Sequence, residues 1–132
     1  MINVPSLLDD ETEGLIARTI GCYITVHRVL GPGLLENIYR RAVSIELAAN
    51  GMAFEVERQI PVTYRDQLLC YQRLDVVVEG KVLLEIKAVE RLAPIHHAQT
   101  LSYLRVSKIK VALLMNFNTT VLPEGLKRIV LC

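Results

Sequence analysis

The chain has 132 residues, of which 52% are hydrophobic and 22% are charged. This length and composition fit one globular domain over residues 1–132 and exclude a disordered tail, a collagen-like repeat and a coiled-coil rod. Fifteen basic side chains against fourteen acidic ones give a formal net charge of +1, so no global attraction to nucleic acid is expected. Any nucleic-acid function must therefore come from a local site.

Cysteine spacing and the distribution of apolar segments indicate the cellular compartment in which the protein is expected. Cys22, Cys70 and Cys132 are far apart and form no CxxC or Cys/His cluster, so neither a disulfide framework nor a zinc knuckle is expected. The N-terminal segment is acidic and lacks the basic start and apolar run of a secretory signal. The most apolar long stretch, residues 19–35, contains two basic side chains and a Gly-Pro-Gly turn, which excludes a membrane span. We therefore expect a cytoplasmic protein with no membrane partner.

The first part of the chain has the pattern of two helices. Apolar residues recur at helical spacing behind an acidic start, which predicts a helix over residues 10–30. Gly31-Pro32-Gly33 ends this helix, and a second one follows and stops at Asn50-Gly51. The stripe expected to face inward on the second helix has i, i+3, i+7 spacing: Leu35, Ile38, Ala42, Ile45 and Ala49.

The rest of the chain reads mainly as strands. Five segments have the apolar and β-branched composition of strands: Phe54–Thr63, Leu68–Val78, Val82–Val89, Lys110–Asn116 and Lys127–Leu131. Pro94 is placed as the first residue of a third helix that ends near Val106. Four apolar residues of this helix are expected to face inward: Ile95, Ala98, Leu101 and Leu104. The order ααβββαββ predicts an α/β (α+β) fold, in which a β-sheet is covered by helices.

Charged residues interrupt two of the predicted strands. Asp75 lies in the second strand, and Glu85 and Lys87 lie in the third. A three-residue connection at residues 79–81 places Asp75 opposite Glu85 on one face, and Arg73 opposite Lys87. A two-residue turn would instead send the two carboxylates to opposite faces. The three-residue register is favoured because it leaves an apolar layer on the other face: Leu74, Val76, Leu84 and Ile86.

Two carboxylates on one face repel each other unless a cation lies between them. Mg²⁺ suits this arrangement, because it takes one or two carboxylates and retains waters for a phosphate substrate. Lys87 follows Glu85 by two residues, so it points to the same side and can contact the attacking water or the phosphate oxygens. The alternative is a solvated strand face, on which Arg73 and Lys87 neutralise the acids.

Two helices supply further polar candidates. His96, Gln99 and Tyr103 have i, i+3, i+7 spacing and line one stripe of the third helix, from which they can contact a phosphate or a base. An ordinary helix position explains the histidine as well. Glu36 lies in the first turn of the second helix, where the helix dipole favours an acid. In the functional interpretation, Glu36 joins Asp75 and Glu85 around the metal, directly or through water.

Several blocks of the sequence occur in the order of a known family. The segment Gly33-Leu34-Leu35-Glu36-Asn37-Ile38-Tyr39 matches the GxxExxY signature. The other blocks are Arg73–Asp75, Leu84–Ala88 and Pro94–Tyr103. Over roughly residues 12–131, the chain resembles the GxxExxY protein family, which is similar to the PD-(D/E)xK nuclease superfamily. The resemblance implies a restriction-endonuclease-like core, with a central mixed β-sheet flanked by helices.

The resemblance also implies an activity and a set of site residues. The activity is hydrolysis of phosphodiester bonds in nucleic acid, dependent on Mg²⁺ or Mn²⁺. Asp75 and Glu85 are implied as metal ligands, with the backbone carbonyl of Ile86 as a further ligand, and Lys87 is implied to assist the attacking water. The remaining residues carried over, or expected to contact substrate, are Gln99, Tyr103, His96 and Arg73. In place of the proline in the superfamily name, Leu74 precedes Asp75.

The sequence leaves the substrate and the mode of binding open. DNA and RNA are both compatible with it, as are internal and terminal cleavage. With no separate DNA-binding domain expected, affinity must come from the cleft, from a homodimer or from a partner protein. The alternative function is a catalytically silent module that retains the nuclease fold and binds nucleic acid or a protein.

Overall fold

The structure is a computed structural model that describes residues 7–131. Its helices and strands follow in this order: α1 (Asp10–Leu30), α2 (Glu36–Ala49), β1 (Phe54–Tyr64), β2 (Gln67–Val78), β3 (Val82–Lys87), α3 (Pro94–Ser107), β4 (Val111–Asn116) and β5 (Leu126–Val130). The order ααβββαββ is confirmed, and the strand bounds lie within two residues of the predicted ones. A short 3₁₀ helix over Leu122–Gly125 was not expected from the sequence.

The five strands form one mixed sheet in the order β1-β2-β3-β4-β5. Strands β3 and β4 pair in parallel, and every other neighbouring pair is antiparallel. Helix α3 makes the crossover between β3 and β4, because parallel neighbours cannot be joined by a tight turn. The predicted α+β fold, with a mixed sheet flanked by helices, is confirmed.

Helices cover both faces of the sheet. Helices α1 and α2 pack on one face, in a cluster that includes Val76 and Leu84. Helix α3 packs on the other face, in a cluster that includes Val77 and Leu83. Consecutive residues of Val76–Val78 and of Val82–Leu84 thus belong to opposite clusters, which is the period-two alternation of strands buried on both sides.

Helix α1 begins and ends where the sequence predicts. The Asp9 carboxylate accepts a hydrogen bond from the backbone N–H of Thr12 at 2.7 Å, which caps the first turn. Gly31 adopts a φ of 67°, a left-handed conformation that favours glycine, and its N–H closes the last turn on the carbonyl of His27.

The inward faces of α2 and α3 differ from the predicted ones. Leu35 and Ile45 are 72% and 68% exposed, and α2 buries another stripe instead: Tyr39, Val43 and Leu47. The Tyr39 ring stacks on Phe117 with 4.5 Å between centroids, and its hydroxyl donates a hydrogen bond to the carbonyl of Gly31. Both stripes are apolar, so tertiary packing of this aromatic ring selected between them.

In α3 the predicted stripe is wrong at its start and right at its end. Ile95 is 59% exposed and Ala98 is also exposed, whereas Thr100 and Leu104 are buried against the sheet.

Within residues 7–131, no helix has the length and apolar content needed to cross a membrane. Cys22 and Cys70 are both free thiols, and Cys132 lies outside the described residues.

Candidate active site

The connection between β2 and β3 sets the position of the two carboxylates. Val78 pairs with Val82 across residues 79–81, so the predicted three-residue register is confirmed. The ladder continues to the pair Val76 and Leu84, and there it ends. The next residue of each strand is acidic, so the acids lie where the two strands begin to separate.

Asp75 occupies the gap between the separating strands. Its Oδ2 accepts a hydrogen bond from the backbone N–H of Ile86 at 2.9 Å. The backbone N–H of Asp75 lies 3.5 Å from Oε1 of Glu85. These side chain–backbone contacts replace the next pair of the ladder, and they hold the two carboxylates against each other.

Glu85 is the buried member of the pair. Its side chain is only 3% exposed, and burial first and the charge of Asp75 second raise the pKa of Glu85 to about 8. The positive charge of Lys87 opposes this rise. Two carboxylates this close cannot both ionise without a compensating cation, and such perturbed acids are concentrated at functional sites.

Strand β2 changes its inward face next to Asp75. Leu74 packs in the cluster under α3, whereas Val76 packs under α1 and α2, so the predicted shared layer is wrong at Leu74. The neighbouring strand is irregular at the same level. Glu57 has a φ of 54°, which is rare for a residue other than glycine, and the Glu57–Asp75 pair is missing from the β1–β2 ladder. We attribute the change of face to this irregularity.

Arg73 lies elsewhere than the sequence predicts. It pairs with Gln59 on β1, and its guanidinium lies 3.8 Å from Oε1 of Glu57. Lys87 pairs with Asn116 on the parallel strand β4. Since the β2–β3 ladder has already ended, the predicted opposition of Arg73 and Lys87 is wrong.

Glu36 lies within electrostatic reach of the carboxylate pair. Burial first and the charge of Asp75 second raise the pKa of Glu36, and Lys87 and Arg40 oppose the rise. Residues 7–131 nevertheless contain no group of three His, Cys, Asp or Glu side chains close enough to hold one metal ion together. Glu36 therefore does not complete a set of three direct carboxylate ligands with Asp75 and Glu85 in this structure.

Helix α3 brings a tyrosine toward the acids and uses its histidine for capping. Burial first and the charges of Glu85 and Asp75 next raise the pKa of the Tyr103 hydroxyl. Gln99 is exposed one turn earlier on the helix. Nδ1 of His96 accepts a hydrogen bond from the backbone N–H at position 93 at 2.9 Å, so its ring closes the first turn of α3.

Arg40 was not found by sequence reasoning. It projects from α2, and its Nη1 lies 3.7 Å from Oδ1 of Asp75, while its Nη2 lies 3.3 Å from Oε1 of Glu57. The side chain is only 20% exposed. Arg40 follows Glu36 by four residues and so shares a helix face with it, which is the signal that would have identified it.

The donor set is compatible with a hard divalent cation. Asp75 and Glu85 offer carboxylate oxygens at one place, and the pKa of Glu85 is raised by burial first and by the charge of Asp75 second. Mg²⁺ and Mn²⁺ prefer oxygen ligands, and Mg²⁺ is bound by one or two carboxylates with waters in the remaining positions. Two carboxylates therefore suffice, and a third direct acid is not required.

A mixed five-stranded sheet between helices, with acids where two central strands separate, defines a restriction-endonuclease-like fold. The chain matches the family model of the PD-(D/E)XK nuclease superfamily over residues 13–129. The protein belongs to this superfamily. Its members are generally dependent on divalent metals. No curated protein and no solved structure gives a significant match to the chain.

Proposed function

We propose that the protein is a nuclease of the GxxExxY type, which hydrolyses phosphodiester bonds with the help of Mg²⁺ or Mn²⁺. The observation that carries the proposal is the contact between Asp75 and the buried Glu85 at the end of the β2–β3 ladder. Buried like charges cost stability, so they point to a site kept for chemistry. Membership of a nuclease superfamily supports the same activity.

In this proposal Asp75 and Glu85 hold the metal, together with the backbone carbonyl of Ile86. Glu36 acts on the same site through a water molecule, in keeping with its electrostatic coupling to Asp75. When bound, the metal supplies a nucleophile at neutral pH by lowering the pKa of its water, and it polarises the phosphate. The net reaction adds water across the phosphodiester bond: the water oxygen bonds to phosphorus, the bond from phosphorus to the leaving oxygen breaks, and the leaving oxygen takes up a proton.

The chain's own residues orient the reactants. Lys87 carries a positive charge beside Glu85, from where it hydrogen-bonds the attacking water or a phosphate oxygen. Tyr103 and Gln99 approach from α3 and contact the substrate phosphate. Arg73 and His96 are proposed as outer substrate contacts, secondary to their observed contacts with Glu57 and with the start of α3.

A second candidate is a catalytically silent module that binds nucleic acid or a protein partner. One observation favours it: both oxygens of Asp75 already have partners, Oδ1 near Arg40 and Oδ2 on the N–H of Ile86. A cation would have to compete with Arg40 for the same carboxylate. Cleavage under either metal separates the two candidates.

The substrate of the proposed nuclease is nucleic acid, with DNA and RNA both open. We expect the protein to act in the cytoplasm, with the cleft as its main contact surface. A homodimer would extend that surface along the substrate.

The deciding experiment incubates the purified protein with single- and double-stranded DNA and RNA, in Mg²⁺, in Mn²⁺ and in EDTA. Cleavage is expected with either metal and not in EDTA. Lys87→Ala should lower the rate by about 10²–10³-fold, the usual effect of removing one positioned donor, and calorimetric metal binding should persist. Lys127→Ala, an exposed lysine on β5, is the matched control. Cleavage that survives EDTA or is unchanged in Lys87→Ala would contradict the proposal.

A further inference from the structure

A groove of about 520 Å³ lies between α2 and β1 and reaches the carboxylate pair through Arg40. Polar side chains of α2 line one part of the groove, and an apolar wall is formed by Ile45 of α2 together with Val56 of β1. The residues that give the groove its charge and its apolar surface are Arg40, Arg41, Ile45, Val56 and Glu57. Its volume lies within the ~300–1,000 Å³ typical of sites for small molecules or single building blocks of a polymer.

Glu57 lines this groove and contacts two arginines, one within the groove and one beside it. Its Oε1 lies 3.3 Å from Nη2 of Arg40 and 3.8 Å from Nη1 of Arg73. Without this acid, the two like charges would repel and separate. Glu57 keeps this place with a φ of 54°, and backbone strain of this kind is concentrated at functional sites.

Charge at the groove favours an anion. Arg40 and Arg41 line the groove, and Arg73 adjoins it through its ion pair with Glu57. These three cations face two acids, Glu57 within the groove and Asp75 beyond it. Arg41 is exposed and has no ion pair among the described residues, so it is available to a ligand.

The apolar wall indicates what else the ligand carries. Ile45 is 68% exposed and Val56 is 48% exposed, and both line the groove. A phosphate alone gains nothing from apolar contact, whereas a nucleotide presents an anionic phosphate together with the apolar face of a base. A duplex keeps those faces stacked inside, so the wall suits an unpaired strand.

We propose that the α2–β1 groove binds a single nucleic-acid strand that flanks the scissile phosphate. Arg40 and Arg41 bind its phosphates, and Ile45 and Val56 contact a base. Glu57 is a positioning residue that holds Arg40. This inference rests on the proposed nuclease function and adds a substrate class and a path to it.

The test measures binding without turnover, by fluorescence anisotropy in EDTA, of a labelled oligonucleotide as single-stranded DNA, as single-stranded RNA and as a duplex. Single strands should bind more tightly than the duplex, and the better of the DNA and RNA arms identifies the natural strand. Arg41→Gln should weaken binding about fivefold, as expected for one exposed charge contact. It should also lower the slope of log K against log salt by about 0.7, the value for one phosphate on a single strand.

Two further variants sharpen the test. Ile45→Ser should weaken binding of single strands more than binding of duplex, because only unpaired bases contact the apolar wall. Glu57→Gln removes a negative charge, so simple electrostatics predicts tighter binding of an anion. If Glu57 holds Arg40 in place, binding should instead become weaker. Arg28→Gln, an exposed arginine on α1 outside the groove, is the matched control and should bind like the wild type.

The outcomes separate this inference from the proposed function. The groove would not be the binding site if Arg41→Gln and Ile45→Ser both bound with wild-type affinity. The same would follow if Arg28→Gln lost as much affinity as these two variants. Equal affinity for duplex would overturn the single-strand assignment, and tighter binding by Glu57→Gln would overturn the positioning role. If groove variants lose binding but no substrate is cleaved under either metal, the nuclease proposal fails while the groove stands.

Discussion

The two ends of the β2–β3 pair differ sharply over a distance of one residue. At the turn end, Val76–Val78 pair with Val82–Leu84, and every one of these side chains is at most 1% exposed. At the open end, Asp75 and Glu85 follow directly, and side chain–backbone hydrogen bonds replace the ladder. The same two strands thus supply a packed core at one end and a polar cluster at the other.

This contrast indicates that residues at the turn end of the β2–β3 pair stabilise the fold, whereas those at the open end serve its chemistry. Apolar burial at the turn end stabilises the fold in proportion to the area removed from water. At the open end, the raised pKa of Glu85 shows that the folded protein holds an acid in an unfavourable environment. We therefore expect substitutions at the turn end to act on folding and those at the open end to act mainly on activity.

The largest expected effect is that of Asp75→Asn at the open end. The amide keeps the shape of the carboxylate but removes a hard anionic ligand, so metal binding should be lost. Since bound metal contributes several kcal/mol to the transition state, cleavage should fall by ~10³-fold or more. Titration calorimetry with Mg²⁺ and Mn²⁺ checks the first point and a cleavage assay the second.

The melting temperature of Asp75→Asn distinguishes a role of Asp75 in metal binding from a role in stabilising the fold. It should stay close to that of the wild type, because the amide oxygen can still accept the hydrogen bond from Ile86. Wild-type metal affinity in this variant would remove Asp75 from the site. A collapse of the fold would instead place the open end among the elements that hold the protein together.

At the turn end, Leu84→Ala should lower the free energy of unfolding by about 2–5 kcal/mol. Leu84 is fully buried under α1 and α2, so truncation removes apolar contacts and leaves a cavity. Urea unfolding followed by circular dichroism measures the loss. Ile45→Ala, on the exposed side of α2, is the control and should change stability by less than ~0.5 kcal/mol. Equal losses in both variants would erase the distinction between core and surface on this side of the sheet.

The third prediction concerns pH and is made for metal-free protein in EDTA. Glu85 in the unfolded chain loses its proton near the ordinary pKa of 4.5, whereas the folded protein retains it up to about 8. Folding therefore binds a proton between these values, and the free energy of unfolding should fall as the pH rises from about 4.5 to about 8.

Glu85→Gln isolates this contribution, because it cannot titrate. Its stability should depend less on pH than that of the wild type, and the difference between the two should grow in favour of the variant toward pH 8. Urea midpoints across this range provide the measurement. Parallel curves for the two proteins would show that Glu85 ionises normally in the fold.

The element order and the β2–β3 register were predictable because they depend on local signals. The acidic start of α1, the Gly31-Pro32-Gly33 break and the three-residue turn each act within a few residues. The inward face of α2 was not predictable in this way. Its two apolar stripes are adjacent, and contact with Phe117, far along the chain, selected the one containing Tyr39.

The candidate site shows the same division. The closeness of Asp75 and Glu85 followed from counting residues across the turn. Arg40 and Glu57 were missed because their contacts depend on how α2 lies across β1, and period-two counting carries no sign of the left-handed backbone at Glu57. Arg73 was misplaced because counting assumes a ladder that continues past its actual end.

The smallest effect is expected from Tyr103→Phe, which tests how far the open end extends toward α3. The ring packs partly against the cluster under α3, and phenylalanine keeps that packing, so stability should change by less than ~1 kcal/mol. Burial and the nearby acids raise the pKa of Tyr103, so its hydroxyl remains a donor at neutral pH. Loss of one neutral hydrogen bond to substrate should lower kcat/KM by about three- to tenfold.

Tyr71→Phe, on an exposed stretch of β2, is the control for the hydroxyl alone and should leave kcat/KM unchanged. A large fall in the melting temperature of Tyr103→Phe would show that the hydroxyl stabilises the fold. In that case the candidate site would not include this residue of α3.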